Sequence, residues 1–467
     1  MPQSLAMVGG VSVATGPMSD PTARFDALVL SNILTFTTAT VVGQLGIVSK
    51  QWLAVTSDEM IWKEFCDRDF HVTTKSAPAE SSHTAALMQD THHFKATWIR
   101  WHSWGKSLGL QTVNGPLYAR VRDMWAKIEE WTSVHKPSIH TSLSHGATGD
   151  DFRAVESKLG IKLPDVYKLI WSVHNGQSLQ FDEEVDATQR MPRDLTHQIF
   201  DGLLGGYSFY DILVCTRLYP LQRTLSHTLR RTLDTQRSQG PVSRIVIAAS
   251  YDFCKPFFLD INDGMGVVMG PEYRWACVPP GPCGLLRWME EFASRLTTGV
   301  YTLGSLIGDD PKCAGVNLFP QAGPLASTCI TNGIEAKASA IFCPESEHSM
   351  FTYSIRLGVS SPGDFPYDSA QLQSRHWKIT DGTGHTEEVQ GQGVVGKFPV
   401  LHRGGYRDDA IRGYQDDVPS RGQEKEGVFV YQSCTGRLPE VPPNSGSFQG
   451  TLQFVPGTLD TPVGHLF

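Results

Sequence analysis

The sequence predicts a multidomain protein with a small all-α domain first, an α+β domain in the middle and an all-β sandwich at the C-terminal end. The chain has 467 residues, more than a single hydrophobic core usually organises. Apolar residues recur at helical spacing from about residue 25 to residue 70, and short alternating segments between Gly and Pro replace that spacing from about residue 333. We therefore predict six segments in order: a disordered tail (1–22), a helical domain (23–71), a linker and helical region (72–145), an α+β domain (146–300), a linker (301–332) and a sandwich (333–467).

The composition argues against several broad classes of function. Hydrophobic residues make up 40% of the chain and charged residues 19%, which is typical of folded globular domains. The formal net charge of −8 argues against a nucleic-acid-binding protein, which would normally carry a basic face. The sequence has no run of about 18 apolar residues and its start lacks the pattern of a signal peptide. We therefore expect no membrane span and a protein of the cytoplasm, the nucleus or both.

The nine cysteines do not have the spacing of a zinc site. They are widely separated, and neither a Cys-x-x-Cys pair nor a His-Glu-x-x-His motif occurs. We therefore expect no metal and no cofactor. We interpret the cysteines as mostly buried free thiols in a reducing compartment.

Three short helices are predicted between Phe25 and Phe70. Their apolar residues follow three- and four-residue steps, with breaks near Thr37–Thr40 and at Ser57–Asp58, where either polar residue can cap the last helix. The segment resembles an F-box in three motifs: Ile33-Leu34-Thr35-Phe36, Leu45-Gly46-Ile47-Val48-Ser49-Lys50-Gln51-Trp52 and Trp62-Lys63-Glu64-Phe65-Cys66.

This resemblance implies a protein partner. A helical domain of about 45 residues completes its core poorly alone and is expected to leave an apolar face for a partner helix. In F-box proteins the partner is the Skp-type adaptor, which links to a cullin, so the resemblance implies the same partner here. We predict the following adaptor-binding side chains: Leu30, Ile33, Leu34, Phe36, Leu45, Val48, Trp52 and Trp62.

The middle region carries a mixed helix and strand pattern. An amphipathic helix with Phe152, Val155 and Leu159 ends at Gly160. The segments 213–214, 245–249 and 257–259 are predicted as strands, 262–264 as a turn and 285–296 as a closing helix. The region is similar to the SUKH superfamily through Gly160-Ile161-Lys162-Leu163-Pro164-Asp165-Val166-Tyr167, Trp171 and Asn175-Gly176. In that family the domain is a binding scaffold.

The C-terminal region resembles ApaG, an all-β sandwich of the fibronectin type III kind. The resemblance lies in the segments Leu372–Gly382, Glu387–Pro399, Val430–Cys434 and Gly446–Thr451. A polar stretch, Arg403–Gly427, interrupts the strand pattern and is predicted as a long hairpin loop. The order F-box, SUKH, ApaG is that of F-box-only proteins, which implies a substrate receptor of an SCF-type ubiquitin ligase, with substrate bound by the ApaG domain, the SUKH domain or both.

One glycine motif requires a separate interpretation. Gly391, Gly393 and Gly396 form a G-x-G-x-x-G pattern, but a dinucleotide site needs a strand before it and a helix after it. Both flanks are predicted as strands, and Pro399 follows closely. We interpret the glycines as a tight turn that needs positive φ, and a backbone nest that binds an anion or an acidic peptide remains open.

No catalytic group is apparent. The neighbouring carboxylates Glu387 and Glu388 point to opposite faces of a strand, and His376 lies in an apolar segment. Neither Cys343 nor Cys434 carries an activating motif. Three functions remain: a non-catalytic ligase receptor, a regulatory binding scaffold outside a ligase, and an ApaG protein that acts on phosphorylated ligands.

Overall fold

The computed structural model describes residues 26–78, 88–178, 196–209, 212–234, 242–261, 267–269, 275–277, 283–307, 311–343, 350–360, 363–410, 422–436 and 446–467. The predicted tail at 1–22 and the predicted turn at 262–264 lie outside these residues. The described residues fall into two compact units. The first unit contains the described residues up to 106 and residues 111–117, and the second contains residues 107–110 and those from 118 onwards.

The first unit is built from short helices that begin at polar caps. Side chains of Asp26, Thr38, Ser49 and Asp58 each accept a backbone N–H two or three residues later. The helices are α1 Ala27–Thr35, α2 Ala39–Leu45, α3 Lys50–Thr56, α4 Glu59–Phe70 and the first part of α5 Phe94–Leu108. The prediction of three helices before residue 70 is therefore wrong, because the cap at Ser49 starts a new helix after a turn.

The region after residue 71 also contributes to the first unit. Phe94 and Trp98 of α5 pack against the core of α1–α4, and Trp98 Nε1 donates to the Asp69 carboxylate at 2.8 Å. Strands β1 Ser76–Pro78 and β2 Met88–Asp90 pair antiparallel. The segment predicted as a linker and helical region thus begins with structure that belongs to the helical unit.

The second unit contains an eight-stranded sheet with helices. Its helices are α6 Gly115–His135, α7 Pro137–Ser142, α8 Gly149–Leu159, α9 Asp165–Trp171, α10 Leu221–Asp234 and α11 Gly284–Thr297. Its strands are β3 Gly206–Phe209, β4 Ile212–Leu218, β5 Arg244–Ser250, β6 Pro256–Asp260, β7 Val267–Met269, β8 Trp275–Ala276, β9 Thr302–Ser305 and β10 Ala314–Asn317. The order in the sheet is β8-β7-β6-β5-β4-β3-β10-β9, and only the β3–β10 pair is parallel. The predicted α+β class is confirmed.

The segment 301–332, predicted as a linker, contains three strands that belong to the two β structures. Strands β9 and β10 pair with each other and join the sheet at β3. The first strand of the C-terminal sandwich begins at Ala326. The sequence signal was weak because these strands are short and rich in Gly and small polar residues, so their pairing depends on distant partners.

The C-terminal part is a sandwich of two antiparallel sheets. Its strands are β11 Ala326–Thr331, β12 Ile334–Phe342, β13 Phe351–Val359, β14 Ser369–Thr380, β15 Thr386–Gln392, β16 Lys397–His402, β17 Gly405–Ala410, β18 Glu424–Lys425, β19 Phe429–Cys434 and β20 Ser447–Pro456. One sheet has the order β11-β12-β13-β19, and the other β15-β14-β16-β17-β18, with β20 paired to β14. Alternate residues of β13, β14 and β19 face each other and form the core between the sheets. The predicted all-β sandwich is confirmed.

The polar stretch Arg403–Gly427 is not a simple hairpin loop. Strand β17 pairs with β16 along six residues, and Tyr406 and Arg407 pair with β18. Arg407 and Asp409 form a two-point ion pair on this edge, with distances of 2.8 and 2.9 Å. Residues 411–421 lie outside the described part of the chain.

Candidate protein-binding surfaces

The helical unit exposes a large amount of apolar side chain. Phe36 is 91% exposed and Ile47 is 89% exposed, although both are residues that usually lie in a core. Seven further apolar residues of α1–α4 and their turns are also exposed: Leu28, Val29, Ile33, Val41, Val48, Leu53 and Met60. A monomeric domain of this size rarely leaves so many apolar side chains in water.

The eight predicted adaptor-binding residues fall into three groups. Leu30, Leu34 and Trp62 are buried in the core of the helical unit itself. Leu45 and Trp52 are half-buried against that core. Ile33, Phe36 and Val48 are exposed, so these three are the members of the set that another protein can reach directly.

Ile47 is exposed but is not among the residues that the sequence predicts to bind the adaptor. It follows the last residue of α2 and lies in the turn that leads to the cap at Ser49. A continuous helix through this region would have placed Val48 on the apolar stripe and Ile47 off it. The observable signal was the Gly46 that precedes it, which is compatible with a turn.

The family motif of the middle domain is buried and structural. The backbone N–H of Leu163 donates to Glu156 Oε1 at 2.9 Å, and Pro164 precedes the first residue of α9. The rings of Tyr167 and Trp171 stack with centroids 4.0 Å apart, and both are fully buried. Asn175 Oδ1 accepts the backbone N–H of Leu221 at the start of α10. These residues fix the positions of α8, α9 and α10.

The glycine motif forms a small hairpin turn at Val394–Lys397, inserted between β15 and β16, which pair with successive parts of β14. Val394 and Lys397 exchange backbone hydrogen bonds, both at 2.9 Å. Val395 and Gly396, which lie between them, have φ of 46° and 75°, as a type I′ turn requires. Gly393 has φ of 56°, and a Cβ there would lie 2.5 Å from the carbonyl oxygen of Lys397.

The amides of this hairpin already have acceptors. The N–H groups of Val394 and Lys397 bond across the turn, and that of Gly393 donates to Gln373 O at 2.9 Å. Arg375 Nη1 donates to the carbonyl oxygens of Gly393 and Gln392. Three amides that could have formed a nest for an anion are therefore used by the sandwich itself.

Gly393 and Gly396, the last two glycines of the motif, should differ in their response to alanine. Gly396→Ala adds a Cβ that meets nothing within 4 Å, so its cost is the left-handed conformation, about 1–2 kcal/mol. Gly393→Ala carries the same cost and also forces Lys397 O to move, for a further 1–3 kcal/mol or so. Urea unfolding of the two variants measures the difference. Equal losses would contradict a steric role for Gly393.

Several titratable groups on the strands of both β structures form local pairs. Asp260 pairs with Arg244 at 2.8 Å. Glu388 on β15 accepts hydrogen bonds from Lys378 and His376 of β14, both at 2.9 Å. These two bonds lower the pKa of the Glu388 carboxyl, and the bond from Lys378 has the larger effect. Such cross-strand pairs on an exposed sheet face are ordinary surface contacts.

The cysteines are free thiols in the part of the chain that the structure describes. Cys66, Cys215 and Cys343 are buried, Cys329 is exposed and the other five are half-buried, so the expectation of mostly buried thiols is only partly right. Burial raises the pKa of Cys66 to about 12 and that of Cys215 to about 11, which keeps both protonated.

Across the described ranges, no three His, Cys, Asp or Glu side chains are grouped as a metal site would need. No described helix has the length and apolar character that crossing a membrane requires.

The fold and the family models define the class of this protein. Residues 146–292 match the model of the SMI1/KNR4 family (SUKH-1), and residues 341–407 match the model of the ApaG domain. The middle and C-terminal domains are therefore a SUKH-type domain and an ApaG domain. In the sequence they follow an N-terminal unit of short helices with exposed apolar side chains.

Relatives that match most of the chain carry the word F-box in their names, and a shorter match is to an ApaG protein. The chain is 28% identical to F-box protein SKIP16 of Arabidopsis thaliana, over 94% of this chain and 94% of that protein. It is 22% identical to F-box only protein 3 of Homo sapiens, over 85% of this chain and 76% of that protein. Protein ApaG of Anaeromyxobacter dehalogenans is 47% identical over 79 residues, which are 17% of this chain and 61% of that protein. The resemblance to F-box-only proteins with SUKH-type and ApaG domains is confirmed.

Proposed function

We propose that this chain is the substrate-recognition subunit of an SCF-type cullin–RING ubiquitin ligase that works in the cytoplasm, the nucleus or both. The N-terminal helices bind the Skp-type adaptor. The ApaG domain, the SUKH-type domain or both recruit the protein substrate. The chain itself performs no chemistry in this role, and rate is gained because the substrate is held close to a charged conjugating enzyme.

The exposed apolar side chains of the helical unit carry this proposal. Ile33 and Phe36 lie at the end of α1, and Ile47 and Val48 lie in the turn between α2 and α3. All four are more than half exposed. Burying a side chain of this size removes about 1.5–3 kcal/mol of unfavourable hydration, so a protein partner with an apolar surface is the simplest reason to keep them. The F-box names of the relatives support a Skp-type adaptor as that partner.

Two alternatives make different predictions. A regulatory scaffold outside a ligase would use the same helices without an adaptor and cullin. A phosphate-binding ApaG protein would need free donors in the glycine hairpin, and the bonds of Gly393, Val394 and Lys397 do not favour it.

Co-expression of the full-length chain with a Skp-type adaptor and cullin tests the proposal. We expect the three proteins to elute as one complex in size-exclusion chromatography and the adaptor to bind with a dissociation constant below about 1 μM, as is common for specific complexes. Failure of the adaptor to bind at tens of micromolar would exclude the ligase role and favour the scaffold.

A further inference from the structure

The core of the ApaG domain holds two buried hydrogen-bond donors that lack acceptors. Trp377 on β14 is 5% exposed and Tyr431 on β19 is 4% exposed. Neither the indole Nε1–H of Trp377 nor the hydroxyl of Tyr431 has a hydrogen-bond partner among the described residues. A buried donor without an acceptor is costly, and native structures contain few of them. Two in one core therefore suggest that the acceptor comes from outside the chain.

The side chains of Trp377 and Tyr431 both lie next to the ring of Tyr353. The ring of Tyr353 on β13 lies 6.5 Å from Trp377 and 6.5 Å from Tyr431, edge to face in each case. Phe448 of β20 packs 4.5 Å from Tyr353 and 5.0 Å from Trp377. The indole also lies across Gly450, where any Cβ would collide with it. The donors thus come from opposite sheets of the sandwich and share apolar walls.

A positive charge lies beside this cluster. Arg375 is two residues before Trp377 on β14 and therefore on the same face of the strand. It is half-buried, its Nη1 donates to Gly393 O at 2.7 Å, and it forms no ion pair with a carboxylate in the described part of the chain. Burial and the neighbouring Tyr353 raise the pKa of Tyr431 well above its usual value, and the charge of Arg375 acts in the opposite direction. The position of Arg375 on the same strand face as Trp377 places its charge at the edge of this cluster.

We propose that Arg375, Trp377 and Tyr431 form a binding site for a carboxylate that enters between the two sheets. The guanidinium and the indole N–H can only donate, and the Tyr431 hydroxyl has a proton to donate, which together suits an anionic oxygen ligand. One arginine matches a single negative charge, and the rings of Tyr353 and Phe448 provide walls for an apolar body next to the carboxylate. This site deepens the proposed recruiting role of the ApaG domain and rests on that role for its biological meaning.

Fluorine NMR of the full-length chain, labelled with 5-fluorotryptophan, tests the site directly. The signal of Trp377 is identified by its absence in Trp377→Phe. We expect benzoate to shift this signal in a saturable way, whereas benzamide, which has the same ring without the charge, leaves it in place. Arg375→Met should weaken benzoate binding about 10- to 100-fold. Arg403→Met, which removes another arginine of the same sandwich, should leave the affinity unchanged.

A second variant separates binding from folding. Tyr431→Phe removes a buried hydroxyl that lacks a partner, so we expect the thermal midpoint to stay constant or rise while benzoate affinity falls several-fold. A lower thermal midpoint with unchanged benzoate affinity would show that the hydroxyl serves the fold, and would overturn its assignment to a ligand.

The source of the carboxylate is distinguished with peptides. A peptide with a free C-terminal carboxylate that shifts the Trp377 signal, when its C-terminal amide does not, assigns the site to protein chain ends. A response to benzoate alone assigns it to small carboxylates. If neither benzoate nor the peptide with a free C-terminal carboxylate shifts the Trp377 signal, the proposal is overturned. An equal response to benzoate and benzamide overturns it as well. Adaptor binding by Arg375→Met is measured in parallel and should be unchanged, so failure of this site and failure of the ligase role are separately visible.

Discussion

Phe36→Asp and Ile47→Asp should each weaken adaptor binding at least about 100-fold, and together abolish it. Both side chains are almost fully exposed in the free chain, at 91% and 89%, so an aspartate costs the fold little. In a complex, the same carboxylate would be buried in an apolar interface without a partner, which is strongly unfavourable. Titration calorimetry with the purified adaptor measures the loss, and circular dichroism checks that the helices remain.

Val134→Asp is the matched control for these variants. Val134 lies on α6 and is 70% exposed, and it is not one of the residues assigned to the adaptor. We expect it to bind the adaptor with unchanged affinity. Leu34→Asp should instead unfold the helical unit, because Leu34 is 2% exposed and lies in its core. If Phe36→Asp and Ile47→Asp bound the adaptor as tightly as the control, the proposed surface would be wrong.

Lys168→Met should destabilise the SUKH-type domain by about 3–5 kcal/mol, because it breaks a buried ion pair. Lys168 Nζ lies 2.8 Å from Glu156 Oε1, and both side chains are nearly inaccessible, at 3% and 5% exposed. Lys168 also donates to the carbonyl oxygen of Gly109 at 2.8 Å. The variant leaves a buried carboxylate without its main cation and a carbonyl without its donor. Urea unfolding of the full-length chain, followed by tryptophan fluorescence, measures the loss.

Lys162 provides the control on the same carboxylate. It reaches Glu156 Oε2 at 3.0 Å, but its side chain is 74% exposed. Water solvates an exposed ammonium almost as well as the carboxylate does, so Lys162→Met should cost less than about 1 kcal/mol. Equal losses for Lys162→Met and Lys168→Met would contradict the role of burial.

The same pair predicts a response to acid. Burial raises the pKa of Glu156, but hydrogen bonds from Lys168, the Leu163 amide and Lys162 outweigh this effect, and the net pKa is below its usual value. A carboxyl with a lowered folded pKa stabilises the fold above its unfolded pKa and loses this contribution as pH falls through the folded pKa. Glu156→Gln should therefore be less stable than the wild type at pH 7, with the difference becoming smaller below about pH 4.

Local sequence patterns predicted those parts of the structure that depend on neighbouring residues. The amphipathic spacing of Phe152, Val155 and Leu159 predicted α8, and the helix ends at Gly160 with left-handed φ. Strands β4, β5 and β6 were also correctly predicted, because each has enough apolar residues to identify it alone. Weak local signals failed at β9 and β10, which pair with each other and join the sheet through the contact of β10 with β3.

For the two candidate sites, the sequence identifies some of the residues, but only the packed structure shows which of them are exposed or close together. Helical spacing identified Leu34 and Phe36 together, since periodicity finds apolar residues but does not tell which of them the chain covers. Only the tertiary structure separates the two, with Leu34 inside the helical unit and Phe36 in water. The sequence likewise contains Arg375, Trp377 and Tyr431 without any sign that they are related. They come together because β14 and β19 belong to opposite sheets that pack face to face, and such contacts between distant segments are decided by packing.

The sequence alone thus determined the order of the three domains, the class of each and several helix and strand positions, because these follow from residue spacing and turn residues within short windows. The tertiary structure decided which apolar side chains remain exposed, where the middle sheet ends and which buried donors lack acceptors. These properties depend on what lies next to each group in space, and a linear pattern does not contain that information.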